Sequence, residues 1–467
     1  MAITFYNSLT KKAEPFVPLN AGEVKMYSCG PTIYNYSHIG NFRAFVFYDL
    51  LVRYLRFRGF DVTHVMNLTD VDDKTIKGSM AKGQSLTDYT SFYEKEFLKD
   101  MQTLNMNRPN IIPKATEEID AMVELISKLL EKGHAYKNDK GDIYFKISSF
   151  PEYGEMADID KRSLKENADN RLNSADEYGK DNVFDFALWK AWDENDGDVY
   201  WETKIGKGRP GWHIECSAMS AKYLGQPFDI HTGGIDLIFP HHTNEIAQSE
   251  CACGVKFCNY WMHNGHLFVN GKKMSKSLGN FYTLRDLLDK GYSAEAIRYE
   301  LIKGHYRQEL DFKEDNLEAN AKVIKKFKDF LSRLDDVKDA SGTDDAQALL
   351  AETKEAFILA MDEDLNTPNG LAVLFDFMGE VNKRMPEMSA KGAEGVKALF
   401  NSFMDVFGFA VASKEDALNA EEEALFTQRN AARAEKNYAL ADELKQKLKA
   451  LGIEVKDTAD GSKWSRI

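Results

Sequence analysis

Two stretches of the sequence carry the residue types that phosphate chemistry needs. In "YSCGPTIYNYSHIGN", His38 and Asn41 are hydrogen-bond donors on either side of Gly40, which has no Cβ to block a flat ring or a close backbone approach. An apolar pattern with helical spacing follows at once. The positive N-terminal end of a helix should therefore face the same space, an arrangement suited to the phosphates of a nucleotide. In "GKKMSKSLGN", residues 271–280, Lys272, Lys273 and Lys276 are interspersed with Ser275 and Ser277 between Gly271 and Gly279. This reads as a mobile basic loop that can close on a pyrophosphate leaving group and neutralise charge as it grows. Either stretch alone is a weak signal, since a His-Ile-Gly turn arises by chance and a Lys/Ser run is usually solvated. Their occurrence together argues against coincidence.

A second set of residues suggests a metal. Cys29 stands nine positions ahead of His38, Cys216 lies in "GRPGWHIECSAMS", and His241 and Glu245 lie in "FPHHTNEIAQ". The four-residue spacing of His241 and Glu245 puts them on one helix face. If Cys29 sits near a strand end it could join them and Cys216 in a tetrahedral set. Two thiolates, one imidazole and one carboxylate suit zinc. A lone buried cysteine is more often a small apolar filler. Cys251, Cys253 and Cys258 form a rival group, disfavoured because positions 251 and 253 of a helix face different directions. His242 is expected to be a supporting or structural residue.

The elements that must position these residues can be read around them. "EVKMYSCG" reads as a strand, "NFRAFVFYDLLVRYLRFRGF" as a helix ending at Gly59, and "DVTHVMNLTD" as a second strand closing on Thr69 and Asp70. This βαβ unit implies an α/β fold with a parallel sheet, whose ligands sit beyond the carboxyl ends of the strands. Cys29, His38, Thr69 and Asp70 all fall there. Residues 84–133 read as helical, and 134–200 as short strands with polar loops. "PFDIHTGGIDLIF" then restores strand character. Residues 315–406 read as amphipathic helices interrupted at 341–345 and 366–370, and "VASKEDALNAEE" as a linker to a small final domain.

Composition narrows the class. A chain of 467 residues is long enough for about three domains, and 43% hydrophobic with 29% charged residues is ordinary globular composition. No apolar run approaches the roughly 18 residues needed to span a bilayer, and the start lacks a signal peptide, so the expectation is a cytoplasmic protein with its five cysteines as thiols. The net charge of −14 argues against indiscriminate nucleic-acid binding, yet residues 429–467 hold nine Lys/Arg against six Asp/Glu.

The paired motifs resemble the HIGH and KMSKS signatures of class I aminoacyl-tRNA synthetases, here His38-Ile39-Gly40-Asn41 and Lys273-Met274-Ser275-Lys276-Ser277, with Asn41 in place of the second histidine. "NLTDVDD", "GWHIECSAM" and "FDIHTGGIDLIFPHH" narrow the likeness to the cysteinyl-tRNA synthetase family over nearly the whole chain. The resemblance implies activation of L-cysteine by ATP, with Mg2+, to an adenylate and transfer to the 3′-terminal adenosine of tRNA(Cys). It implies one zinc ion in the amino-acid pocket on Cys29, Cys216, His241 and Glu245. His38, Asn41, Lys273 and Lys276 are then the catalytic residues. ATP falls to Gly40, Gly233, Gly234 and Lys276, and the amino acid to Thr69, Trp212, His231 and Asp236, the last for its ammonium. The implied architecture is a Rossmann-like catalytic domain (1–118 and 201–268) split by a connective insertion (119–200). After it come the KMSKS loop and stem-contact region (269–314), a tRNA-binding helical bundle (315–410), and a linker with a small anticodon-recognition domain (411–467) in which Trp464 meets the tRNA. A soluble monomer without membrane contact is expected. A cysteine ligase acting on an amino-sugar acceptor would share the catalytic motifs but lack the tail, and a non-catalytic RNA-binding paralogue would show eroded ones.

Overall fold

Four strands form a parallel sheet whose side chains, polar ones such as His231 and Thr232 included, are mostly buried on both faces, as expected where helices cover a parallel sheet. They are β1 (Glu23–Ser28), β2 (Asp61–Met66), β3 (Phe228–Gly234) and β4 (Cys258–Asn264), in spatial order β4-β3-β1-β2. The order reverses between β1 and β3, and ligands bind at the carboxyl ends of strands at such a switch point. The helices that matter are α1 (Ile39–Phe57), α2 (Trp212–Leu224), α3 (Thr243–Cys253), α4 (Ala294–Ile302) and α5 (Ala390–Phe407). The computed structural model describes residues 2–158, 185–274, 279–337, 342, 344–409, 418, 420–458 and 461–466. Lys276, Ser275 and Ser277, and most of the expected linker, lie outside the described residues.

The α/β reading therefore holds, with local corrections. Strand β2 stops at Met66, and Thr69 and Asp70 lie in the loop beyond it. Residues 84–133 are not one helical stretch. Helices Leu86–Thr103 and Ile119–Glu131 flank a segment containing Pro109 and Pro113, which runs beside β2 through Met66 N–H to Ile111 O at 3.1 Å and Leu68 N–H to Pro113 O at 2.8 Å. Helix Ile119–Glu131 packs on α2 and α3, beside the parallel sheet. The inserted sheet is antiparallel, in the order Ala135–Lys137, Ile143–Phe145, Phe186–Ala191, Gly206–Pro210, Trp201–Thr203. The expected boundary at 200/201 thus cuts through it: strands 201–203 and 206–210 complete that sheet before α2 returns the chain to the parallel one. "NTPNG" opens a helix, because Asn366 caps Thr367–Arg384 and Pro368 lies in its first turn. Among the described residues no helix is long and apolar enough to cross a membrane.

The chain divides into two compact units, Met1–Phe409 and Ala410–Ile467. In the second, helices Ala420–Ala434 and Tyr438–Ala450 and the hairpin Ile453–Thr458/Gly461–Arg466 enclose a small core of Leu448, Ile453 and Val455, against which Trp464 is half-buried. Arg429 is 1% exposed, and its Nη1 and Nη2 donate to the two Asp457 carboxylate oxygens at 2.7 Å each. Its hydrogen bonds hold the Asp457 carboxyl well below the usual range, so this stabilisation is present above about pH 4 and is lost as the pH falls further. Arg429→Ala would remove the fork that holds both carboxylate oxygens, leaving Asp457 to Arg433 at 2.8 Å and Ser462 Oγ at 2.7 Å. Loss of these charge-assisted bonds is expected to cost about 2 kcal/mol, a large share of what so small a unit can have. Limited proteolysis should then cut the C-terminal unit while the first unit stays resistant.

Candidate active site

Cys29 follows β1 directly, and its N–H donates to Thr232 O of β3 at 3.3 Å, at the point where the sheet order reverses. The next residue must be glycine, since a Cβ on Gly30 would lie 1.7 Å from Asn67 O. Helix α2 brings Cys216, the turn leading into α3 brings His241, and the first turn of α3 brings Glu245. His241 precedes the helix proper, yet its Nε2 still lies 3.0 Å from Glu245 Oε1. Ligand atoms of Cys29, Cys216, His241 and Glu245 all lie within 4.8 Å of one another, and all four side chains are buried. Cys29 Sγ is 3.9 Å from Cys216 Sγ and 3.8 Å from Glu245 Oε1. The four residues the sequence suggested converge, and among the described residues Cys251, Cys253 and Cys258 form no such group.

The electrostatics of the cluster fit a cation. Burial lifts Cys29 well above the ordinary thiol range, and the neighbouring Cys216 and Glu245 lift it further. Burial also opposes ionisation of Cys216, but its bond to Cys29 and the charge of His241 bring it down to about 6. Burial raises Glu245 too, and His231 and His241 outweigh it, holding the carboxyl down at about 2. Burial lowers His241, while Glu245 and Cys216 carry it up to about 10. Two anionic donors raising a third in a buried pocket is the pattern that a divalent cation would relieve.

Cys29 and Glu245 also group with His231 and His242. These two rings are fully buried. His231 Nε2 lies 2.8 Å from Glu245 Oε2, and its ring stacks on Trp261 with centroids 4.4 Å apart. His242 Nε2 lies 3.3 Å from Cys29 Sγ, with Nδ1 2.7 Å from His263 Nε2. Each ring thus lies against a member shared by both groups, His231 against Glu245 and His242 against Cys29. Trp212 is half-buried with its ring 4.2 Å from that of His241, at the outer side of the cluster.

The turn expected to bind phosphate is built at the start of α1. His38 caps the helix: its Nδ1 accepts from Asn41 N–H at 3.2 Å, and Asn41 Oδ1 accepts from His38 N–H at 3.1 Å. The exchange settles which atoms remain as donors. With Nδ1 accepting, the ring proton is on Nε2, and Asn41 keeps its amide N–H2. Burial lowers the His38 pKa, against a smaller upward pull from Asp236, so the ring is neutral. The basic segment meets this turn. Met274 Cε lies 2.7 Å from where a Gly40 Cβ would be, the Phe281 ring is 5.2 Å from that of His38, and Ile39 N–H donates to Tyr282 O at 3.0 Å. Lys273 is exposed on a short strand paired with Phe268–Val269.

The chain matches the family model for the tRNA synthetases class I (C) catalytic domain over residues 15–322, the DALR domain over 356–412 and the cysteinyl-tRNA ligase anticodon binding domain over 415–464. It is 49% identical to the cysteine–tRNA ligase of Brachyspira hyodysenteriae over 476 aligned positions, covering 99% of each chain. The chain belongs to the cysteine–tRNA ligase family. The family's Chlamydia muridarum member is 44% identical over the full length of both chains. In fold, this class I synthetase is similar to the Mycobacterium tuberculosis methionyl-tRNA synthetase in complex with methionyl-adenylate (TM-score 0.58, 14% identity, 82% of this chain and 89% of the other). It is equally similar to an Agrobacterium radiobacter LeuRS–tRNA–LeuAMS ternary complex (TM-score 0.60, 13% identity, 84% and 85%).

Within this cysteine–tRNA ligase family member, the other expected site residues are distributed unevenly. Thr69 is buried, and its Oγ1 donates to Glu215 Oε2 at 2.6 Å. Asp236 is exposed just beyond β3. A Cβ on Gly233 would lie 2.3 Å from the His242 ring, and one on Gly234 2.5 Å from Asp236 Oδ1. The buried His242 ring requires glycine at 233, whereas the exposed Asp236 side chain can turn away from 234. Sequence reasoning missed Glu215, 1% exposed and raised well above the ordinary carboxyl range by burial. It also missed Asn67, whose Oδ1 accepts from Gly30 N–H at 3.0 Å. Glu215 had a visible signal, an acid flanked by apolar residues in "WHIECSAM".

Proposed function

We propose that the chain activates L-cysteine with ATP and Mg2+ to cysteinyl adenylate and passes the cysteinyl group to the 3′-terminal adenosine of tRNA(Cys), acting as a cytoplasmic monomer. The observation that carries this reading is the convergence of Cys29, Cys216, His241 and Glu245 at the sheet's switch point, on a chain whose α1 presents His38 and Asn41. These four residues would hold zinc, which when bound supplies a soft Lewis-acidic site that favours a thiolate over a hydroxyl and lowers the thiol pKa. Pocket shape alone separates near-isosteres such as cysteine and serine by only about 10²-fold. His231 and His242 keep Glu245 and Cys29 oriented, and Trp212 covers the cluster.

Activation needs positioning and charge stabilisation more than a protein nucleophile. Neutral His38 donates through Nε2 and Asn41 through its amide to the phosphates, while Lys273 and Lys276 meet the charge that grows on the pyrophosphate. Thr69, held by Glu215, and Asp236 take the amino-acid backbone, Asp236 its ammonium. Residues 315–410 and the terminal unit with Trp464 hold the tRNA. The half-buried packing of Trp464 leaves part of the indole to stack on a base. The match to an anticodon binding domain over 415–464 favours a tRNA acceptor over an amino sugar. Cysteine-dependent ATP–pyrophosphate exchange followed by charging of tRNA(Cys) tests the reading. Both should occur; exchange without charging would point to another acceptor, and no exchange to a binding-only protein.

A further inference from the structure

Every residue of α1 from Phe42 to Leu55 is buried, including the charged Asp49 and Arg53 in its middle. Arg298 of α4, 1% exposed, reaches into that middle. Its Nη2 donates to Asp49 Oδ2 at 2.6 Å, its Nη1 to Leu104 O at 2.9 Å and its Nε to Phe407 O at 2.7 Å. Arg53 donates to the same Asp49 oxygen at 2.8 Å, to Asp405 Oδ1 at 2.8 Å and to Asn105 O at 2.7 Å. The other Asp49 oxygen accepts from Asn107 N–H at 2.8 Å. Two guanidinium groups thus share one carboxylate and spend their other donors on the end of α5 and on the segment after Thr103. Gly408, just past α5, has φ +66°, and a Cβ there would lie 2.2 Å from Arg298 Nη2, so this backbone leaves the guanidinium its place.

A buried ion cluster of this kind gains little over apolar packing of the same volume, and its best-attested use is to fix register. The register fixed here is that of α1 against α4 and α5. The helix is stiff, and Asp49 lies eleven residues from His38, about 16 Å along the axis. A shift at Asp49 therefore moves the N-terminal turn.

We propose that Arg298 is a positioning residue for the activation step: by clamping the end of the bundle's last helix to Asp49, it sets where α1 presents the His38 and Asn41 donors. The inference rests on the reading of those two residues as phosphate donors. It makes the bundle part of the catalytic apparatus as well as a holder of RNA.

The test uses full-length Gly408→Ala, which keeps every charge but crowds the guanidinium, and Arg298→Lys, which keeps a cation but loses the fork. Misplacement of reacting groups by about 1 Å costs about 10²-fold in rate. Each variant should therefore lower kcat for cysteine-dependent pyrophosphate exchange at least tenfold, while KM for cysteine and bound zinc stay at parental values. A lowered melting temperature with kcat within twofold of the parent would show a merely structural cluster and overturn the proposal. So would loss of zinc and of cysteine affinity in step with kcat, which marks general loosening. Failure of the underlying reading shows separately, as a parent protein with no exchange.

Discussion

Cys216→Ser is expected to purify with its zinc largely lost and its cysteine activation reduced by more than about 100-fold, because even the residues that merely support metal ligands cost about 10–100-fold when changed. Cys216 is the thiol held down at about 6, so near neutral pH it supplies one of the cluster's anionic donors. Serine at that position is nearly the same size but stays protonated, and a hydroxyl is a poor soft ligand. The loss should not be one of folding, since α2 keeps its packing and Ser217 and Ser220 already sit buried beside it. Zinc per chain and the exchange rate should therefore fall together while the melting curve of the metal-free protein stays near that of the metal-free parent. Full retention of both would remove Cys216 from the ligand set.

His38→Ala is expected to leave zinc content and KM for cysteine near parental values while lowering kcat for exchange by about 10²–10³-fold, the usual cost of deleting one donor aimed at transition-state charge. Its other consequence is separable. The imidazole also caps α1, and losing a cap costs about 1 kcal/mol of stability. His38→Asn keeps a good cap and a neutral donor, so it should restore stability fully and activity in part. Since burial lowers the ring's pKa from the ordinary histidine value, the His38 contribution should persist to lower pH than an exposed histidine would allow. Protonation further down removes the acceptor that Nδ1 offers to Asn41 N–H, so the cap and the stability it gives are lost on the acid side.

The residues that carry chemistry were legible in the sequence because their types are uncommon and their positions fall at the ends of recognisable elements. Cys29, Cys216, His241 and Glu245 are scattered over more than two hundred positions; the βαβ pattern set Cys29 at a strand end, and the helix spacing of His241 and Glu245 with the family likeness of the surrounding motifs supplied the rest. What resisted reading depends on packing. A glycine shows only that a Cβ is missing, and the packing of the His242 ring against Gly233 is visible only in the fold. His231 looks like any histidine near a pocket until its place behind Glu245 is known. Nothing in the local sequence marks Asp49, Arg53 and Arg298 as partners, and only the tertiary fold shows them buried together. Strands 201–203 and 206–210 have the same local signals whichever sheet they join, so the end of the insertion could not be placed from pattern alone.

The most direct measurement replaces the native metal with cobalt(II) and follows the near-ultraviolet thiolate-to-cobalt charge-transfer band as amino acids are added. If a buried ion held by the four residues chooses the substrate through its sulfur, L-cysteine should raise the band by about the increment of one further thiolate and L-serine should leave it unchanged. A band indifferent to cysteine, or metal-free protein that still activates cysteine in strong preference to serine, would contradict the account.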